Sequence, residues 1–170
     1  MKRKRLAIIA IAFILVVSVV AYVAEPEVSY SLNPYQYRKT GDTWNTFNYS
    51  SNQTSSQIFT TVHCQNKGGF DASFYVILTL TNARFNQTSN QSDTLVNDTT
   101  AKISYILHGQ EKVDTNVYFS VDNNATNFKI SISFQSNQLF MRSSEGNWGG
   151  QDTFYYDETS DGTFISAMIA

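Results

Sequence analysis

One cysteine, two histidines and two prolines are all that this 170-residue chain holds of those types. With Cys64 alone, no intramolecular disulfide can form. The fold must therefore rest on a hydrophobic core, and disulfide-stapled secreted enzymes and toxins are excluded. The lone thiol reads either as a buried small hydrophobe or as half of an intermolecular disulfide. His63 and His108 are the possible general bases, and neither has a nucleophile elbow beside it, so a Ser-His-Asp or Cys-His site gains no support. The Gly68-Gly69 pair lacks the helix and lysine that a phosphate-cradling loop needs. Proline is missing after Pro34, whereas β-branched and aromatic residues are abundant there, which is strand composition.

Charge is scarce and unevenly placed. Four of the 12 basic residues, Lys2, Arg3, Lys4 and Arg5, precede an uncharged run over residues 6–24. From residue 25 onward, 8 basic residues face 14 acidic ones, a balance of −6 beneath the overall −2. Such a surface disfavours nucleic acid and anionic lipid as partners. As a helix the run covers about 29 Å, close to the hydrocarbon thickness of a bilayer. It also lacks the polar face, recurring every 3.6 residues, of a soluble core helix. The basic cluster before it keeps the N-terminus in the cytoplasm and sends the rest across. A basic segment followed by an apolar one also describes a cleavable signal peptide, here with a cut after Ala21 that leaves Tyr22 first. Retention as an anchor is the leading expectation and secretion after cleavage the alternative. The chain thus divides into a basic cytoplasmic leader (1–5), a transmembrane helix or signal segment (6–24), a neck (25–42) and an ectodomain (43–170). The neck holds Pro26, Pro34, Tyr30, Tyr35 and Tyr37 and has room for one short strand.

Alternation locates the strands. Phe128, Ile130, Ile132 and Phe134 form an apolar face, and Lys129, Ser131, Ser133 and Gln135 a wet one, a period-2 strand. Further strands are predicted at 58–65, 74–81, 102–107, 113–121, 139–142, 153–157 and 163–168. Between them lie turn residues such as Asn66-Lys67-Gly68-Gly69, His108-Gly109-Gln110 and Asp122-Asn123-Asn124. The polar stretch 82–100 reads as a long crossover. Seven to nine short strands in one domain predict an all-β fold, an antiparallel β-sandwich preceded by one N-terminal helix.

The segment TVHCQNKGGFDASFYVILTL at 61–80 resembles the cell-adhesion-related domain of bacterial and archaeal surface proteins, an immunoglobulin-like sandwich. Val62, Asn66, Gly68, Ala72, Phe74, Val76 and Leu78 fall on that family's pattern. Gly109, Val113, Val117 and Phe119 resemble its later strand pair. The resemblance implies an interaction or spacer module rather than a catalyst.

Six N-glycosylation sequons begin at Asn48, Asn52, Asn86, Asn90, Asn97 and Asn124. They are acceptors in a host with the machinery and polar loop residues in one without it. His63, Cys64, His108 and Met141 raise the question of a copper site, but adjacent strand residues point to opposite faces, which separates His63 from Cys64. Asp152, Asp157, Glu158 and Asp161 raise that of calcium or a glycosidase pair. Their spacing instead fits a solvated hairpin turn. Trp44, Phe47, Tyr49, Trp148, Tyr155 and Tyr156 are candidates for an aromatic contact surface or for ordinary core. No catalytic residue, metal or cofactor is expected. The leading expectation is a membrane-anchored surface module that contacts an envelope or surface protein. The alternatives are an accessory single-span subunit of a larger membrane or filament complex, and an exported metal-binding protein or hydrolase.

Overall fold

The computed structural model describes residues 2–33, 35–40, 43–48, 53–55, 57–86, 95–138, 141–145, 153–158 and 163–167. One helix, α1 (Lys2–Ala24), precedes the strands. The first half of the chain then supplies β1 (Glu27–Leu32), β2 (Gln36–Thr40), β3 (Thr43–Asn48), β4 (Gln53–Ser55), β5 (Phe59–Asn66), β6 (Ala72–Thr81) and β7 (Ala83–Phe85). The second half supplies β8 (Leu95–Asn97), β9 (Thr100–Leu107), β10 (Lys112–Val121), β11 (Asn127–Gln135), β12 (Arg142–Glu145), β13 (Thr153–Glu158) and β14 (Thr163–Ala167). Beyond its helix the regular structure is all-β among the described residues.

Two sheets form. One has the order β12-β1-β5-β10-β7 and the other β4-β3-β2-β14-β13-β11-β6-β9-β8. Their inner faces follow from alternation: Val28, Tyr30 and Leu32 of β1 are buried, as are Phe74, Val76, Leu78 and Leu80 of β6 and Phe128, Ile130 and Ile132 of β11. Aromatic rings and hydrogen bonds join the sheets, the Phe59 N–H of β5 donating to the Thr46 hydroxyl of β3 at 3.1 Å. Tyr30 of β1 stacks on Phe134 of β11 at 5.4 Å, and Tyr37 of β2 meets Phe119 of β10 edge-on at 5.5 Å. Among the described residues every strand pair is antiparallel except β1 with β12, which run parallel from Glu27 opposite Arg142.

Within the stretch 25–42, read from sequence as a neck with room for one short strand, two strands are described. Both β1 and β2 lie there, and Tyr30, Tyr35 and Tyr37 are buried. The described strands number fourteen rather than seven to nine. The excess comes from short or polar strands: β2, β3, β4, and the β7 and β8 pieces inside the expected crossover. The strand expected at 139–142 begins instead at Arg142.

Helix α1 carries large apolar side chains on every face, and over residues 8–20 these are 48–69% exposed. Surroundings are described for residues 8–21, about 21 Å of helix. Among the described residues no helix is long and apolar enough to cross a membrane.

Candidate functional site

Strand directions give the domain two ends. At the near end the chain leaves α1, and residues 25–27, 66–71, 108–112, 136–138 and 142 gather there. At the far end lie 82, 97–99 and 122–127.

The near end is built around a junction without slack. The Glu25 N–H donates to the Ala21 carbonyl at 3.0 Å, so the helical ladder runs into the first junction residue. Arg142 then reaches Glu25 at 3.5 Å and Glu27 at 3.2 Å, while its own N–H donates to the Pro26 carbonyl at 3.0 Å. From the other side, the Lys67 N–H donates to the Glu27 carbonyl at 2.6 Å. Gly68 lies flat against this segment: a Cβ there would fall 2.0 Å from the Glu25 carbonyl oxygen. Only glycine allows that approach.

Asn66 organises the turn. It is fully buried, and its amide donates to the carbonyls of Phe70 at 2.7 Å, Leu107 at 3.2 Å and His108 at 3.1 Å. Its Oδ1 accepts the Gly68 N–H at 3.0 Å. One side chain therefore joins the β5–β6 turn to the β9–β10 turn. Gln110, at φ 68°, adds donations to the Lys67 and Gly68 carbonyls. Gly109 fits under the first turn, since a Cβ on it would meet the Gly69 carbonyl oxygen at 2.5 Å.

Apart from Phe70, the rim of this end is polar. His108 sits 3.1 Å from Asp71, and its backbone N–H donates to the Glu111 carboxylate at 2.7 Å. The hydrogen bond to Asp71, with the charges of Asp71 and Glu111, raises the His108 pKa above its ordinary value. A group raised on folding stabilises below its unfolded pKa and loses that contribution as pH climbs through the folded value. An NMR titration should place the His108 midpoint above about 6.5, and Asp71→Asn should lower it; a wild-type midpoint at or below that value would show the contact to be inert in solution.

The far end is looser. A shallow cleft of about 330 Å³ is lined by Asn82, Asp122, Asn124, Ala125, Thr126 and Asn127. Asn82, at φ 57°, donates to the Asn127 side chain at 3.0 Å, and Arg84 lies 3.6 Å from Asp122. This lining offers amides and carbonyls for hydrogen bonding but no acid/base pair. Among the sequons, Asn86, Asn97 and Asn124 are exposed. Asn97 accepts the Thr99 N–H at 2.9 Å and the Thr99 hydroxyl at 3.1 Å, an Asx turn. Asn48 lies in β3 with its side chain outside the described residues, and Asn52 and Asn90 lie outside them altogether.

The remaining candidates are dispersed. His63 faces outward on β5, 2.6 Å from Asp114, whereas Cys64 is buried on the opposite face. Burial pushes the Cys64 thiol up to about 12, against the Tyr105 hydroxyl that hydrogen-bonds it. Burial thus keeps Cys64 protonated as a free thiol on the core face of β5. His108 stands at the near-end turn, and Met141 packs half-buried against the core. The four do not converge, and among the described residues no group of three or more His, Cys, Asp or Glu side chains could hold a metal ion.

No family model matches the chain, and no curated protein is similar to it. Among solved structures, a crystal structure of a GH3 β-glucosidase from Bifidobacterium adolescentis is similar over 65% of this chain, at 10% identity and a TM-score of 0.33. The chain spans 16% of that structure's length. A likeness this loose bears on neither fold nor function.

Of the carboxylates, Asp157 and Glu158 fall on β13 with side chains outside the described residues, and Asp152 and Asp161 lie outside them. The aromatic set splits. Tyr156 is core, stacked on Phe128 at 4.5 Å, while Trp44 and Phe47 are half-buried on β3 beneath Lys39 and Arg38. The side chain of Tyr155 on β13 is outside the described residues, as are Tyr49 and Trp148. Sequence reasoning missed the clasp of Glu25 and Glu27 by Arg142, which joins residues more than a hundred positions apart. The Asn66-x-Gly68 spacing at a strand end was a local signal for the buried amide.

Proposed function

We propose that this protein is a membrane-anchored, immunoglobulin-like β-sandwich displayed outside the cell as an interaction or structural module. The observation that carries this reading is the junction. A helix apolar on every face needs lipid or partner helices around it, and it passes within two residues into β1, clasped by Arg142 and backed by Gly68. Among the described residues the edge strands β12, β7, β4 and β8 are three or four residues long, which limits strand addition by a partner. Contacts with an envelope or surface protein therefore fall to loops, and those of the far end are the ones carried away from the helix.

The accessory-subunit reading draws on the same helix, whose exposed faces would then meet partner helices. Alkaline carbonate washing of native membranes, followed by protease treatment of intact cells, tests the main proposal. The full-length chain should stay in the membrane pellet, with the domain digested from outside. Recovery only from the medium, with Tyr22 as first residue, would overturn the anchor. Affinity capture after detergent extraction then separates one stoichiometric membrane complex, the subunit reading, from envelope or neighbouring-cell proteins.

A further inference from the structure

We infer that the Lys67–Phe70 turn is a second membrane contact, with the Phe70 ring seated in the headgroup layer of the bilayer that α1 crosses. This deepens the anchor reading and rests on it. Outside α1, Phe70 and Ile106 are the large apolar side chains exposed among the described residues, at 58% and 70%. Ile106 lies within β9 on an outer sheet face, but Phe70 is at the tip of the near-end turn.

The position of that tip relative to the helix is set by short contacts. Gly68 lies against the Glu25 carbonyl, one residue past the end of α1, and the Lys67 N–H binds the Glu27 carbonyl. The turn cannot swing away, because Asn66 holds the Phe70 carbonyl and Gln110 holds those of Lys67 and Gly68. If α1 spans the hydrocarbon, the turn that abuts its end stands at the interface. There an apolar ring gains by burial and a lysine ammonium meets phosphate. Charges on the rim are mixed: Lys67 and Lys112 face Asp71 and Glu111, and Arg142 offsets Glu25 and Glu27. Attraction to anionic lipid is therefore not what holds the turn, and a zwitterionic bilayer suffices.

The buried, protonated Cys64 leaves an introduced cysteine as the reactive thiol. The full chain carrying Phe70→Cys is labelled with an environment-sensitive fluorophore and reconstituted in phosphatidylcholine vesicles with or without shallow doxyl-labelled lipid. The far-end variant Asn123→Cys serves as the reference. We expect blue-shifted emission at position 70 and several-fold stronger quenching by doxyl lipid than at position 123. Equal, water-like emission at both positions, with the protein still pelleting after a carbonate wash, would overturn the contact and leave the anchor standing. Release by the carbonate wash would remove both.

Discussion

Asn66→Ala is expected to lower the melting temperature by roughly 6–12 °C. The substitution leaves the Gly68 N–H and three carbonyls, those of Phe70, Leu107 and His108, without the side chain that joins them. An unsatisfied buried polar group costs about 1–3 kcal/mol. Water can reach the exposed Phe70 and His108 positions, so the penalty concentrates on Gly68 and Leu107 and comes to about 3 kcal/mol. At about 2–4 °C per kcal/mol for a domain of this size, the shift follows. The damage should also be local. Hydrogen exchange at the Gly68 amide should rise well before exchange in β6 or β11, because the turn opens while the aromatic core holds. A variant that melts within a degree or two of the parent would mean that the amide network is decoration.

That same residue shows what a sequence can and cannot disclose. Asn66 and Gly68 carry an Asn-x-Gly turn signal, yet that spacing alone does not say that the asparagine is buried or that the glycine lies beneath a helix junction. Strands wetted on one face were legible because alternation is a local property. The strand 128–135 is found from Asn127 to Gln135, and those expected at 58–65 and 113–121 each lie within a residue of an observed one. By contrast, β2 reads Gln-Tyr-Arg-Lys-Thr and offers one buried ring, Tyr37, among polar neighbours. Part of its strand character comes from pairing with the neighbouring polar β3, and part from β14, more than a hundred residues away and outside any local window. The clasp of Arg142 on Glu25 and Glu27 is hidden for the same reason. It depends on the parallel pairing of β12 with β1 across most of the chain. Strand parity is likewise local, and it separates His63, exposed toward Asp114, from the buried Cys64.

The core's weakest point under chemical challenge should be Tyr37. Its ring is fully buried and meets Phe119 at 5.5 Å, Phe128 at 5.3 Å and Tyr156 at 5.0 Å, so it joins the two sheets at one spot. Tyr37→Ala removes an aromatic ring from a close-packed site, a change that costs about 3–5 kcal/mol. Against a total stability of roughly 5–15 kcal/mol, that loss brings the domain near the threshold of unfolding. Tyr37→Phe keeps the ring and loses the hydroxyl, which donates to the Phe59 carbonyl at 3.3 Å and also interacts with Thr60 and Tyr156, at about 1 kcal/mol per hydrogen bond. The same burial, with the Tyr156 phenol beside it, raises the Tyr37 pKa well above its ordinary value, and burial raises those of Tyr156 and Tyr105 as well. For these groups the unfolded chain loses its proton first. Stability is therefore intact below about pH 10 and falls as pH rises above it. Chemical denaturation at pH 8 and pH 11 should show the parent losing stability at the higher pH, and Tyr37→Phe, with one phenol fewer to ionise, losing less. If the parent and Tyr37→Phe lose stability equally between those pH values, ionisation of Tyr37 is not what limits the core in alkali, and the burden shifts to Tyr156, Tyr105 and Cys64.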